Sequence, residues 1–517
     1  MPFASPHPDI VVPDVPLTDF VLGGAASYLD RPALVDGSSG RTITFGELVE
    51  QIRRLAAGLS HHGVRKGDVV GIWSPNLPEY AVVFHAVARL GAVLTSANPV
   101  YTAEELAFQL QDAGARLLVT TGALLDRARE AVTATGRAID IVTIDAADGV
   151  PTLSDIAVDA DPPPVAIDPA RDVVVMPYSS GTTGLPKGVM LTHRNLLANL
   201  VQIDAIEAPD LRAFVGVLPF FHIYGMVVVM NFALFRGATT VTLPRFELEA
   251  FLRVLQDWPI ALAHIVPPIA VALAKHPVVD RYDLSGVRWL FSGAAPLGPQ
   301  LTEAVETRLN VRVRQGYGMT EASPATHYTA PGAERPGKIG PLMPSTAGRV
   351  VDPGTGADLA AGQPGEVWVR GPQVMKGYLN NPEATARTVD ADGWLRTGDI
   401  GIVDEDGYLE IVDRLKELIK VKGFQVAPAE LEALLLKHPK IADAAVIPVR
   451  DHESGEVPKA VVVLREPLTA DEVMAFVDAH VAHYKRIRYV EFAESIPKSA
   501  SGKILRRVLV ERERARQ

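Results

Sequence analysis

Ten consecutive residues concentrate the chemistry of this chain: Ser179-Ser180-Gly181-Thr182-Thr183-Gly184-Leu185-Pro186-Lys187-Gly188. Glycines let backbone amides turn toward an anion with no Cβ in the way. Hydroxyls donate hydrogen bonds, and the lysine adds a positive charge. Together they suit a loop that holds polyphosphate. The P-loop pattern would require Gly where Pro186 stands and Ser or Thr where Gly188 stands, so this is a phosphate loop of another kind. Farther along stand Gln315-Gly316-Tyr317-Gly318-Met319-Thr320-Glu321, Trp394-Leu395-Arg396-Thr397-Gly398-Asp399, Asp413-Arg414-Leu415-Lys416, Lys420-Val421-Lys422-Gly423-Phe424 and Pro497-Lys498-Ser499-Ala500-Ser501-Gly502-Lys503. Taken singly, Glu321 reads as a helix-start carboxylate, Asp399 as a turn aspartate, Tyr317 as a core aromatic and Lys503 as a solvated lysine.

The elements that must position these residues follow an α/β rhythm. Residues 173–176, ahead of the phosphate loop, form an apolar run that reads as a buried strand. Residues 69–72, 117–120 and 287–291 read as further strands, and 78–90 as a helix ended by Gly91. This alternation predicts an α/β fold with largely parallel sheets. Such sheets place ligands at the carboxyl ends of their strands, where residues 179–184, 292–295 and 315–320 all fall. After Pro341 the texture changes. Period-two alternation in Glu366-Val367-Trp368-Val369-Arg370, with Asp392-Gly393 and Asp406-Gly407 turns, predicts an antiparallel, hairpin-rich region. From Asp413 a compact α+β pattern begins: helix 428–437, strands 444–449 and 460–464, helix 470–482, strand 489–492. The expected division is a domain of residues 1–412 and a second of 413–517, joined near Asp413.

Composition bounds the function. The 517 residues are 48% hydrophobic and 21% charged, as in an ordinary globular protein of several domains. A net charge of -11 argues against nucleic acid or an anionic membrane as the main partner. The absence of cysteine removes disulfides, thiolate metal sites and covalent thiol catalysis, so any reacting thiol arrives on a substrate. The apolar tract within residues 220–235 is too short to span a bilayer, and no basic residue precedes Arg31, so a cytoplasmic protein is expected.

In their order, the motifs resemble those of the adenylate-forming superfamily: acyl-CoA synthetases, firefly luciferase and peptide-synthetase adenylation domains. The resemblance runs from about Ala33 to Arg507. It implies two half-reactions: a carboxylate attacks the α-phosphorus of ATP, giving an acyl-adenylate and pyrophosphate, and a thiol then displaces AMP. It assigns Ser179, Ser180, Gly181, Thr182, Thr183 and Lys187 to the β- and γ-phosphates. Glu321 would be a Mg²⁺ ligand, Thr320 an α-phosphate contact, and Asp399 with Arg414 the ribose site. Tyr317 would stack on adenine, with Gln315, Gly316 and Lys416 also on the nucleotide side. Lys503 would bridge the α-phosphate and the carboxylate during adenylation. Lys420, Lys422, Gly423 and Gln425 would lie on another face of a mobile small domain, used for thioester formation.

Within the superfamily, Pro219-Phe220-Phe221-His222-Ile223-Tyr224, Ser292-Gly293-Ala294-Ala295-Pro296-Leu297-Gly298 and residues 420–428 resemble the 4-coumarate–CoA ligase family. That likeness implies an acyl pocket flanked by Tyr224, Val228, Ala294, Gly316, Gly318, Pro324 and Ala325, a flat slot for a planar ring. Tyr224 would present a hydroxyl to a phenol, His222 would close the pocket or shield the carboxylate, and Arg245 would meet a phosphate of coenzyme A. Val421 stands where the plant enzymes usually carry Tyr, and Val228 and Ala325 stand where their pocket often has Ser and Val, changes of about a methyl or hydroxyl in the pocket worth roughly 1–3 kcal/mol each. The expected function is ATP-dependent ligation of a small carboxylic acid of 4-coumarate or cinnamate type to CoA, a phenylpropanoid-type activity. The alternatives are a medium-chain fatty acyl–CoA ligase, an adenylation enzyme loading a carrier protein, a catalytically silent nucleotide-binding protein and a luciferase-like oxygenase.

Overall fold

The computed structural model describes residues 2–179, 186–421, 424–451, 455–499 and 502–516. Among the described residues its α/β core contains three sheets of largely parallel strands, one of them Ala213–Gly216, Thr239–Thr242, Pro32–Asp36 and Thr42–Thr44. The largest runs, edge to edge, Gly377–Tyr378, Lys187–Thr192, Val173–Val175, Val93–Ala97, Val69–Trp73, Ala115–Thr120 and Asp140–Thr143, with Tyr178–Ser179 added against Lys187–Thr192. Its central strands pair in parallel, while Lys187–Thr192 runs antiparallel to its neighbours. The segment expected to hold polyphosphate therefore departs from Ser179 and returns at Lys187, where Lys187 pairs with Ser179. The fold ties both ends of that loop together before any ligand binds.

The second layer contains Leu262–Ile265, Trp289–Ser292 and Arg312–Gly318 in parallel, closed by antiparallel Ala325–Tyr328. Buried strands in this setting lose the period-two signal and read as continuous apolar runs. Helix Glu79–Arg89 is buried on nearly every face, which is why its sequence is apolar almost throughout. The apolar tract of residues 220–235 becomes a wholly buried π-helix, Tyr224–Asn231, continued by Phe232–Phe235. Among the described residues no helix is long and apolar enough to cross a membrane.

The hairpin-rich region forms an antiparallel sheet in the order Phe3–Ala4, Ala347–Val351, Gly365–Arg370, Leu395–Val403, Leu409–Arg414. Its last strand ends at Arg414, with Asp399 opposite Arg414 and Ile400 opposite Asp413. The chain then enters a second sheet, Phe424–Val426, Ile419–Val421, Gly455–Leu464 and Ile441–Asp451, with Tyr489–Phe492 parallel to Gly455–Leu464. This sheet has its own core, including Ile419, Leu431, Val446, Val462 and Val477. Helices Pro428–Leu435 and Ala470–Asp478 cover it, each shorter than the periodicity suggests. Asp413 links the two regions: its Oδ2 accepts a 2.8 Å hydrogen bond from the Ala429 amide in the first turn of Pro428–Leu435. Burial pushes its carboxyl up to about 6.

Candidate active site

Strand Arg312–Gly318 delivers Tyr317 and leads directly into the short turn Thr320–Ala322, which carries Glu321. Both acidic groups of the cleft are buried, so each needs donors to offset lost hydration. Glu321 Oε1 accepts from Ser179 Oγ at 2.9 Å and from Tyr378 Oη at 2.8 Å. Asp399 Oδ2 accepts from Tyr317 Oη at 2.6 Å, and its Oδ1 lies 3.2 Å from Arg414 Nε. Burial, reinforced by the neighbouring carboxylates, raises both tyrosine hydroxyls above their ordinary range, so they remain donors. Lys187 Nζ sits 5.2 Å from the centre of the Tyr378 ring, a cation–π contact.

Lys503 reaches this cleft from the other sheet's domain. A tight turn holds its backbone: the Ser499 amide donates to the Lys503 carbonyl at 2.8 Å, and the Lys503 amide donates to Ser499 Oγ at 3.1 Å. Gly502 has φ +80°, and a Cβ there would stand 2.7 Å from the Pro268 ring, so this turn packs closely on the large domain. Lys503 is exposed by surface area, yet many protein atoms crowd around its ammonium. Burial, then the like charge of Arg414, lowers its pKa, while Asp399 and Glu321 oppose the shift. His222 feels the same environment: burial and then Lys503 lower it to about 4, so it is neutral at neutral pH. These mutual influences place Lys503, His222, Arg414, Asp399 and Glu321 around one cleft.

Next to His222 is a cavity of about 20 Å³, lined by Leu218, Pro219, His222, Tyr224, Gly225, Val266 and Ala294. That volume accommodates about one water. The Tyr224 hydroxyl donates to the Phe291 carbonyl at 3.2 Å and lies 3.1 Å from His264 Nδ1. It is therefore already engaged within the protein rather than standing free at the pocket end. Ala294 adopts φ +69°, an uncommon conformation for a residue with a side chain. Gly316 and Gly318 are small because of protein neighbours: a Cβ would lie 2.7 Å from the Phe291 ring and 2.0 Å from the Pro324 carbonyl oxygen, respectively. Val228, Pro324 and Ala325 are buried in the surrounding wall, outside the cavity lining.

Other expected residues fall into three groups. Thr320 is half-buried beside Glu321, while Arg245, Lys416 and Lys420 are exposed. The Gln315 side chain is spent on the backbone of Leu297, accepting at 3.1 Å and donating at 3.3 Å, which ties its strand to the 292–298 turn. Ser180, Gly181, Thr182, Thr183, Lys422 and Gly423, and the side chain of Gln425, lie outside the described residues. Sequence reasoning missed Tyr378, which comes from a distant edge strand, and His264. It also missed the fully buried Arg314–Glu207 pair at 3.0 Å, behind the Phe291 wall.

A divalent cation fits this arrangement. Among the described residues no cluster of three or more metal-ligating side chains exists. Glu321, however, has Oε2 without a described hydrogen-bond partner and Oε1 fixed by two hydroxyls. One carboxylate oxygen completed by substrate phosphates and water is the usual Mg²⁺ arrangement.

The family comparison agrees with this geometry. Residues 24–379 match the AMP-binding enzyme family, and residues 430–503 match the AMP-binding enzyme C-terminal domain. The chain belongs to the AMP-binding enzyme family. This AMP-binding enzyme is 46% identical to 4-coumarate--CoA ligase 5 of Oryza sativa subsp. japonica, over 98% of this chain and 96% of the relative. ATP-bound MatB from Rhodopseudomonas palustris superposes with a TM-score of 0.88 at 30% identity, covering 98% of this chain and 100% of that one. The anthranilate CoA ligase AuaEII, in complex with anthranoyl-AMP, superposes with a TM-score of 0.87 at 26% identity and 98% coverage of both chains.

Proposed function

We propose that this AMP-binding enzyme is an ATP-dependent acid–CoA ligase whose acid is aromatic, of the 4-coumarate or cinnamate type. It activates the carboxylate as an acyl-adenylate and then passes it to CoA with release of AMP. The observation that carries the reading is the close packing of the Gly502–Lys503 turn on Pro268 of the large domain, which brings the Lys503 charge within the influence of Glu321 and Asp399. Likeness to 4-coumarate--CoA ligase over nearly the whole of both chains supports the choice of acid.

In this reading Asp399, held by Tyr317 and Arg414, accepts the ribose hydroxyls, and Lys187 neutralises the outer phosphates. Tyr317 borders the adenine site, and Thr320 meets the α-phosphate. Lys503 places its positive charge where negative charge accumulates as the carboxylate attacks phosphorus. A Mg²⁺ held by Glu321 would neutralise phosphate charge and favour departure of pyrophosphate. Neutral His222 borders both the acyl cavity and Lys503, so it shields the carboxylate from water without competing for its charge. The face of the small domain that carries Lys503 is turned toward the cleft, which suits adenylation. Rotation near Asp413 would exchange that face for the one carrying Lys420 and bring CoA, with its phosphate at Arg245, into place. The proposal places the division between domains at residues 412 and 413 and the reaction in the cytoplasm, which supplies ATP and CoA.

The cavity is apolar but narrow, and a ring enters only if the 292–298 turn or Tyr224 shifts. A space of about one water's volume requires its walls to move for a ring and for an alkyl chain alike, and a linear medium-chain acid is the second reading. CoA-dependent AMP release across acetate, octanoate, cinnamate and 4-coumarate tests both. The aromatic reading requires the highest kcat/KM for the aromatic acids, and a maximum at octanoate would replace it.

A further inference from the structure

Tyr378 touches two functional groups at once, and neither contact is needed to fill space. Its hydroxyl donates to Glu321 Oε1 at 2.8 Å, and its ring faces Lys187 Nζ at 5.2 Å. It is 8% exposed, beside a Glu321 that is 6% exposed. Its backbone is fixed from two directions. Val189 pairs with Tyr378, and the Leu379 amide donates to the Gly188 carbonyl at 2.8 Å, which locks it to the strand leaving the phosphate loop. The Tyr378 amide donates to Thr385 Oγ1 at 2.9 Å, and that hydroxyl donates in turn to the Asn381 carbonyl at 2.9 Å.

The other donor to Glu321 Oε1 is Ser179, which stands at the mouth of the phosphate loop itself. A hydroxyl there is drawn toward incoming phosphate oxygens. Tyr378 is the donor that belongs to a different part of the chain and stays with the carboxylate.

We propose that Tyr378 is a positioning residue for the magnesium–nucleotide complex: its hydroxyl presets the Glu321 carboxylate for the cation, and its ring seats the Lys187 ammonium for the outer phosphates. The proposal rests on the reading of Glu321 as the metal ligand. Oε1 is pinned by the Tyr378 hydroxyl, and Oε2, with no hydrogen-bond partner among the described residues, is left for the cation.

The two contacts separate experimentally. Tyr378→Phe removes the hydroxyl and keeps the ring, while Tyr378→Leu removes both. ATP binding is measured by calorimetry on the full-length enzyme without acid or CoA, at a series of Mg²⁺ concentrations, together with thermal melting. Tyr378→Phe should melt close to the parent and need about tenfold more Mg²⁺ for half-maximal ATP binding, as expected for one hydrogen bond to a charged group. Saturating Mg²⁺ should restore its ATP affinity. Tyr378→Leu should show that shift and, in addition, a several-fold loss of ATP affinity that Mg²⁺ does not rescue. In a Glu321→Gln background, Tyr378→Phe should no longer move the Mg²⁺ dependence, because the hydroxyl acts through that carboxylate. An unchanged Mg²⁺ dependence in Tyr378→Phe, or a uniform loss of affinity at every Mg²⁺ concentration, overturns the proposal and leaves Tyr378 a packing residue. If ATP binding by the parent enzyme is itself indifferent to Mg²⁺, the Glu321 reading falls and takes this proposal with it.

Discussion

On the proposed nucleotide side of the cleft, buried carboxylates are fixed by named donors: Glu321 by Ser179 and Tyr378, Asp399 by Tyr317 and Arg414. On the proposed acyl side, Leu218, Pro219, Val266 and Ala294 enclose a space of about 20 Å³, and nearby His264 Nε2 and Ser292 Oγ are buried with no hydrogen-bond partner among the described residues. The contrast follows from the two kinds of interaction. Polar groups out of water must be paired in defined geometry, so recognition of a nucleotide is written in residue identity. Apolar contact is non-directional and scales with area, so recognition of an acid is written in volume. Changes on the nucleotide side should therefore lower activity with every acid alike. Changes on the acyl side should reorder the acids.

The largest effect is expected at Lys503. Lys503→Ala should slow adenylate formation about 100- to 1,000-fold, the scale of removing one transition-state donor. Thioester formation from supplied acyl-adenylate should survive. Near-normal pyrophosphate exchange in this variant would remove Lys503 from the first half-reaction. Asp399→Ala comes next, leaving Tyr317 and Arg414 without their shared partner. ATP affinity should fall about tenfold or more, as for loss of a charged hydrogen-bond acceptor, with the ranking of acids intact. A changed ranking would break the separation between the two sides.

Ala294→Leu acts on the other side. Its larger side chain should fill the cavity and lower kcat/KM for aromatic acids at least about tenfold, since overpacking costs about 1–3 kcal/mol, with the KM for ATP unchanged. Equal losses for all acids would place Ala294 outside the pocket. The smallest effect belongs to Ala294→Gly. At φ +69° the methyl carries a left-handed strain of roughly 1–2 kcal/mol, so glycine should raise the melting temperature slightly while admitting bulkier rings. A lower melting temperature would contradict that backbone argument.

Acid should probe stability rather than recognition. Burial lowers His264, His327 and His85 from 6.5 to about 3. The unfolded chain therefore binds protons on these groups that the folded chain refuses. No penalty exists above pH 6.5; it grows as pH falls toward 3, on the order of 2 kcal/mol per histidine at pH 5. Asp413, raised to about 6, works the opposite way between pH 6 and 4, because its folded form holds the proton more tightly. Melting temperatures should fall from pH 7 to pH 5, and His264→Phe, stacking on Phe214 as His264 does, should flatten the decline. A melting temperature independent of pH over that interval would contradict these buried neutral histidines.

The same division explains what was legible in the sequence. Strand Val69–Trp73, helix Glu79–Arg89 and the hairpins after Pro341 announce themselves by period and punctuation. Glu321, Asp399 and Lys503 read singly as ordinary cap, turn and surface residues; only the order of the motifs and the family resemblance single them out. Tyr378 was not legible, since only pairing of Gly377–Tyr378 with Lys187–Thr192 carries it to Glu321 from a distant part of the chain. The π-helix Tyr224–Asn231 was not, because a tract buried on all sides has no face to reveal its period. Nor was the engagement of Tyr224 with His264, or of Gln315 with Leu297. Such contacts depend on which buried partner the fold supplies, and sequence spacing carries no record of that.

The most direct test of the account is exchange of labelled pyrophosphate into ATP with 4-coumarate present and CoA omitted. The account predicts exchange that requires the acid and Mg²⁺, proceeds without CoA, and is lost in Lys503→Ala. Exchange that starts only when CoA is added, or cleavage of ATP to ADP and phosphate, would contradict an acyl-adenylate formed ahead of the thioester.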